Sequence, residues 1–495
     1  MKTTLAKIIS KLSLKQQQNW LSKPIDCQER LMFDLIDFAK NTTFGRDHKF
    51  NSIKSHQDFI ESVPITDYED LKSYIDQVRE GKTDVLWPGV PKYFAKTSGT
   101  TSGSKYIPIS KESLPFHIKA ARNALLTYID NANNADFVKG KMIFLQGSPV
   151  LEEVNGIKIG RLSGIVAHYV PSYLQKNRLP SWETNCIAHW EEKVDKIVEE
   201  TMTENLTVIG GIPPWILMYF ERLQEKSGKK IGDLFPNLQL IVTGGVNYEP
   251  YRDKMNQYLG KQVDVIQTYP ASEGFIAYQD QLDKEDLLLL LNHGIFYEFI
   301  PVEEFGQPNA KRLTIGEVEL NKNYAVILTT NAGLWAYSIG DTIKFTSLNP
   351  YRIVVSGRIK HYTSAFGEHV IAQEVEKALK NTLEKHPATI SEFHIAPQVN
   401  PLLGSPYHEW LIEFKVPPTN LADFASELDA QVQKQNDYYH DLIEGKVLRP
   451  LKITMVQDNG FNFYMKSQGK LGGQFKLPRL ANDRNVADGL QPYII

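Results

Sequence analysis

Residues Lys96 to Lys105 read Lys-Thr-Ser-Gly-Thr-Thr-Ser-Gly-Ser-Lys, and every residue from Thr97 to Ser104 is glycine or a small hydroxylated residue. Such a stretch can wrap its backbone N–H groups around an anion, because no bulky side chain keeps the ligand out. The hydroxyls add donors for phosphate oxygens, and Lys105 adds a positive charge. A Walker A loop is excluded, since that motif needs lysine directly after its second glycine and Ser104 follows Gly103. The competing reading is a flexible Ser/Gly connection. Tyr93-Phe94-Ala95 before it and Tyr106-Ile107-Pro108-Ile109 after it place the loop between two short strands.

Three more stretches hold residues of the same chemistry. Tyr269-Pro270-Ala271-Ser272-Glu273-Gly274 puts a carboxylate just after an apolar run, where it could hold Mg²⁺ against nucleotide phosphates or merely cap a turn. In Tyr337-Ser338-Ile339-Gly340-Asp341 the spacing predicts a Gly turn between two strands, with Asp341 either accepting from both hydroxyls of a ribose or serving the turn itself. Gln474-Phe475-Lys476-Leu477-Pro478-Arg479 lies in a Gly-rich tail, from which Lys476 could reach a site or simply face water.

The elements that must position these residues follow from periodicity. Leu206–Ile209, Leu238–Val242 and Val263–Ile266 are short apolar runs; the first two end in paired glycines, and helical stretches separate all three. That pattern predicts a buried, mainly parallel sheet with its ligand at the carboxyl ends of the strands. Helices are expected over 29–40, 68–80 (capped by Thr66), 111–131, 183–203, 215–226 and 249–259. From Gly294 consecutive strands (295–300, 316–320, 324–330, 342–346 and 352–355) predict an antiparallel subdomain. A smaller α+β unit follows, with helices over 368–384 and 421–438. The division expected is an N-terminal domain over 1–357 and a C-terminal domain over 358–495. A chain of 495 residues is long enough for two such cores.

Composition narrows the classes. With 42% hydrophobic residues, 23% charged residues and a net charge of -3, the chain reads as an ordinary soluble protein with no basic field for nucleic acid. Cys27 and Cys186 are its only cysteines, so no disulfide framework is implied and a reducing, cytoplasmic setting is expected. The N-terminus interleaves Lys and Gln with its apolar residues, and no run approaches the length of a membrane span. No nucleic-acid, membrane or obligate protein partner is expected.

Taken in order, the four stretches resemble the adenylate-forming superfamily of firefly luciferase and the acyl-CoA ligases. Within it they are most similar to the acyl-acid amido synthetases of the Gretchen Hagen family. Thr97–Lys105 matches its phosphate loop and Tyr269–Glu273 its Tyr-Ala-Ser-Ser-Glu. Tyr337–Asp341 matches Tyr-Arg-Val-Gly-Asp, and Gln474–Arg479 its terminal Gln-Tyr-Lys-x-Pro-Arg. The resemblance implies an α/β fold, ATP and Mg²⁺, and a small carboxylic acid joined to an amino acid through an acyl-adenylate. By the same resemblance Ser98, Gly99, Thr100 and Thr101 bind phosphates and Glu273 the metal. Tyr269 and Ser272, with the backbone of Gly244 and Gly245, flank the nucleotide. Asp341 takes the ribose with Arg358 nearby, and Lys476 acts on the α-phosphate. Rotation of the small domain about Lys360 between half-reactions is also implied. Pro270, Ser338 and Gly473 depart from the plant pattern, and the shorter chain suggests a compact microbial relative. Two rival readings are an acyl-CoA synthetase and a non-catalytic nucleotide sensor; the Lys476-Leu477-Pro478-Arg479 context differs from that usual in acyl-CoA ligases.

Overall fold

Buried Val, Ile and Leu on successive strands build one large mixed sheet. The computed structural model describes residues 2–495 apart from 101–102, 171–174, 188–189, 247, 360–361, 364, 369 and 469–476. Among the described residues the sheet has eleven strands. In its parallel half Lys141–Phe144, Leu206–Gly211, Leu240–Gly244 and Asp264–Ala271 lie side by side. The helices Pro213–Ser227 and Arg252–Leu259 make two of the crossovers. Pro213 and Pro214 open the first at positions where a missing N–H costs nothing, and Gly228, at φ 67°, closes it. The antiparallel half continues edge to edge from Gly274–Tyr278 through Leu287–Leu289, Tyr351–Arg358, Tyr337–Leu348 and Asn323–Thr330 to Ile295–Pro301. The expected antiparallel strands are therefore the second half of the same sheet.

A separate four-stranded sheet carries the Ser/Gly loop. Tyr93–Thr100 and Gly103–Ile109 pair antiparallel, with Thr97 opposite Lys105, and the register shifts beyond that pair. Further along, Thr389–Gln398 and Tyr407–Val416 pair antiparallel and Lys452–Val456 joins parallel, under the helices Ala372–Lys385 and Leu421–Gln435.

Local chemistry moves several boundaries from their expected places. The helix Tyr68–Arg79 is capped by Asp67, not Thr66. Asp67 accepts from the N–H groups of Glu69 and Asp70, and Asp70 accepts from that of Asp67. The Thr66 hydroxyl instead donates to the Trp335 carbonyl at 2.8 Å. The helix expected over 183–203 is two, Trp182–Cys186 and Trp190–Thr201. Buried Lys193 reaches back to the carbonyls of Asn185 and Gln146 and satisfies the broken end. The helix expected over 421–438 stops at Gln435, because the Asn436 side chain caps a second helix, Asp437–Glu444, by accepting from the Tyr439 N–H. Residues 315–317 form a 3₁₀ turn where a strand was expected.

One buried ion pair joins the N-terminal helices to the antiparallel half. Glu298, on Ile295–Pro301, receives two bonds from Arg312 at 2.9 and 2.7 Å and one contact from His56 at 2.8 Å. Burial pushes the Glu298 carboxyl up, but Arg312 and His56 outweigh it and leave its pKa below the ordinary 4.5. The contribution to stability is thus present above about pH 4.5 and lost as pH falls through the lowered value. Replacing Arg312 by Ala strands a buried carboxylate, and denaturant unfolding should register a loss of about 3–5 kcal/mol at neutral pH.

Candidate active site

At the carboxyl ends of the parallel strands an open cavity of about 1660 Å³ brings sequence-distant segments together. Gly244 ends its strand against Asp264–Ala271, and a Cβ there would fall 2.4 Å from the Thr268 carbonyl oxygen. Only glycine permits that approach, and Gly245 at φ 82° then turns the chain along the cavity wall. The next strand passes through Tyr269, and a two-residue turn of Ser272 and Glu273 leads into Gly274–Tyr278.

Asp341 lies inside the continuous strand Tyr337–Leu348, not after a turn between two strands. The chain bulges instead: four steps from Ser338 to Thr342 stand opposite two from Ile327 to Ala325, with Gly340 at φ 81° inside the bulge. The bulge aims the carboxylate at the parallel half. There Tyr269 Oη donates to its Oδ2 and Arg358 Nε to its Oδ1. Arg358 faces Asp341 directly in the neighbouring strand. Each carboxylate oxygen has a second lone pair, so both remain able to accept from a ribose hydroxyl.

Burial pushes the Glu273 carboxyl above its ordinary 4.5, opposed by the charges of Lys105 and Arg358 and reinforced by that of Asp341. Lys105 enters from the Ser/Gly hairpin, with its Nζ 5.9 Å from the centre of the Tyr68 ring. The site therefore alternates two acids with two bases, an arrangement suited to a polyanion shared with a cation. Among the described residues no group of three His, Cys, Asp or Glu could hold a metal. Glu273 is a hard oxygen donor and fits a Mg²⁺ that takes its remaining ligands from phosphate and water.

Of the residues expected at the site, Gly244, Gly245, Tyr269, Ser272, Glu273, Asp341 and Arg358 line the cavity. Ser98, Gly99 and Thr100 contribute the end of the hairpin strand beside it. Thr101 and Lys476 lie outside the described residues, though Pro478, two positions after Lys476, is on the cavity wall. Gly210, Gly211, Ile212, Trp215 and Leu162 also line the cavity. Trp335 does not; it is fully buried core, its Nε1 donating to the Leu86 carbonyl at 3.0 Å.

Sequence reasoning missed a second cluster lining the same cavity. Arg161 pairs with Asp441 and lies 4.4 Å from the centre of the Tyr438 ring, while Tyr438 Oη donates to the Lys96 carbonyl at 3.2 Å. Lys193 is nearby, its pKa drawn down to about 8 by burial. No spacing signal links these residues; Tyr438 and Lys96 alone stand 342 positions apart in the chain.

Known proteins share both the sequence and the architecture. The GH3 family N-terminal domain matches residues 13–187 and 178–264, its central domain 288–358 and its C-terminal domain 373–485. An indole-3-acetic acid-amido synthetase of Arabidopsis thaliana, GH3.4, is 21% identical, across 94% of this chain and 91% of its own. A jasmonoyl–L-amino acid synthetase of Nicotiana attenuata, JAR4, is 23% identical, across 64% of this chain and 66% of its own. The solved GH3.15 acyl acid amido synthetase superposes with a TM-score of 0.61 at 17% identity, covering 97% of this chain and 96% of that one. A 2-hydroxyisobutyryl-CoA ligase holding an acyl-adenylate and CoA superposes at 0.60 with 14% identity, so the architecture is that of adenylate-forming enzymes. Within that class the chain belongs to the GH3 family.

Because Asp341 is fixed by two neighbours, Asp341→Asn should leave the fold in place and weaken ATP binding. Losing charge-assisted bonds of about 1.5–3 kcal/mol predicts a Kd higher by roughly 10- to 150-fold, readable by calorimetry. Tyr269→Phe should cost less, since Arg358 still holds the carboxylate.

Proposed function

We infer that the protein is an ATP-dependent acyl-acid amido synthetase, which activates a small carboxylic acid as its acyl-adenylate and passes the acyl group to an amino acid. The observation that carries this reading is the convergence, in one cavity at the strand ends, of the Ser/Gly hairpin, Glu273 and the Tyr269–Asp341–Arg358 clamp. Family membership supports the amine as acceptor.

The chemistry follows from charge. A carboxylate oxygen of the acid attacks the α-phosphorus of ATP and pyrophosphate leaves; both partners are anionic, so the barrier is dominated by repulsion. The protein meets it with donors already in place rather than with a covalent intermediate. By the family resemblance residues 98–101 are proposed to bind the phosphates, with Lys105 adding positive charge. Asp341 and Arg358 fix the ribose end, and Gly244–Gly245 with Tyr269 give the base a flat slot. Mg²⁺ held by Glu273 would neutralise triphosphate charge. Lys476 is the residue proposed to follow the α-phosphate and the bridging oxygen. In the second half-reaction the amine nitrogen attacks the acyl carbon, AMP leaves, and the amine gives up a proton. Gly210, Gly211 and Ile212 line the part of the cavity proposed for the acid, next to the nucleotide slot.

The division into domains 1–357 and 358–495, with movement about the junction, belongs to the same proposal. Such movement would shield the labile anhydride from water while the acceptor changes.

Pyrophosphate release with ATP and Mg²⁺ across a panel of carboxylic acids, with and without amino acids, tests the reading. Release that depends on one acid and is stimulated by an amino acid is expected. Lys476→Ala should lower it by about 10²- to 10³-fold while ATP still binds. Stimulation by CoA alone would transfer the protein to the thioester ligases, and ATP binding without release would make it a sensor. Because the Glu273 pKa is raised, the acid limb of kcat/KM should fall above pH 4.5 and move in Glu273→Gln.

A further inference from the structure

The helix Lys2–Leu21 is inverted. It packs against the helix Leu114–Asn131 through polar side chains: Ser10 Oγ donates to the Leu126 carbonyl at 2.6 Å and Ser13 Oγ to Asn123 Oδ1 at 3.2 Å. Gln17 Oε1 accepts from the buried Tyr278 hydroxyl, and of the helix's large apolar side chains Trp20 is the one fully buried. Leu5, Ile8, Ile9 and Leu12 point the other way and are 58, 52, 44 and 57% exposed. Their spacing gathers them on one helical face. A soluble helix does the reverse, so the exposed face is shaped for something outside the chain.

Charge identifies what that is. Lys2, Lys7, Lys11, Lys15 and Lys23 precede the first acidic residue, Asp26, in a chain whose net charge is -3. The basicity is therefore local to this element. At 100° per residue Lys7, Lys11 and Lys15 form a row along one edge of the apolar face, while the other edge rests on the protein. Lys7 is tied to Asn133, and Lys2, Lys11 and Lys15 are exposed. An apolar face bordered by lysines is the form of a helix lying in the headgroup layer of a bilayer, where the side chains enter and the ammonium groups meet lipid phosphates. A second copy is a poorer fit, because antiparallel two-fold pairing of this face would set lysine row against lysine row. No described helix is long and apolar enough to cross a membrane, so the contact is one of lying on the surface.

We propose that Lys2–Leu21 docks the protein on an anionic lipid surface, a partner that composition alone had argued against. The test is co-sedimentation of the full chain with vesicles of phosphatidylcholine, with and without phosphatidylglycerol. Binding is expected with phosphatidylglycerol and should be weak without it. It should decline as salt rises from about 0.1 M to about 1 M, where the Debye length shrinks from about 10 Å to about 3 Å. Lys11→Glu with Lys15→Glu should weaken binding by more than about tenfold. Leu5→Gln with Ile9→Gln should abolish it, with the thermal midpoint of both variants unchanged. Equal binding to the two vesicle types, no binding to either, or binding unaffected by both variants would overturn the proposal. So would a concentration-dependent dimer that the Leu5/Ile9 variant dissolves, which would assign the face to a second copy.

Discussion

A single carboxylate links the two halves of the large sheet at the site. Asp341 comes from the antiparallel half and is gripped by Arg358 beside it and by Tyr269 from the parallel half. Without that grip the strand ends would still form a cleft, but the groups proposed to face the nucleotide would lose their common reference point. The bulge around Gly340 is what aims the carboxylate across the sheet, so a backbone irregularity, rather than a loop, sets the geometry.

The rest of the cavity answers the same problem of concentrating negative charge without paying its full repulsion. Glu273 feels the charges of Lys105 and Arg358, and Arg358 pairs with Asp341, so each acid has a cation for company. Glu273 is nevertheless less acidic than in water, because burial outweighs those bases. A carboxylate in that condition gains more from a bound cation than an exposed one would.

Much of this was legible in the sequence because strand ends in a parallel sheet are marked by small residues. Gly210–Gly211 and Gly244–Gly245 announced the cavity floor, and Tyr269, Glu273 and Asp341 all line the cavity, Asp341 from inside a strand rather than after the expected turn. What periodicity could not give were the features decided by side chains reaching back on the backbone. Asp67 took the cap from Thr66, Asn436 split one helix, and Lys193 healed the break in another. The bulge was illegible for a related reason. Gly-Asp suits a turn as well as an interrupted strand, and only pairing with Asn323–Thr330 decides between them. The inverted helix shows the limit of reading amphipathicity. A sequence reveals that a helix has two faces, but not which of them the fold will cover.

The bond from Tyr438 to the Lys96 carbonyl has a mechanical consequence. It fastens the helix Asp437–Glu444 to the root of the Ser/Gly hairpin, and the Arg161–Asp441 pair fastens the same helix a turn further on. Any swing of the C-terminal unit must release both, and the release occurs one peptide away from Thr97. If the C-terminal unit moves as proposed, it and the hairpin would act as a clutch: while it is engaged, the hairpin root is held to the helix Asp437–Glu444. Once it slipped, the strand proposed to present the phosphate donors would be free to relax.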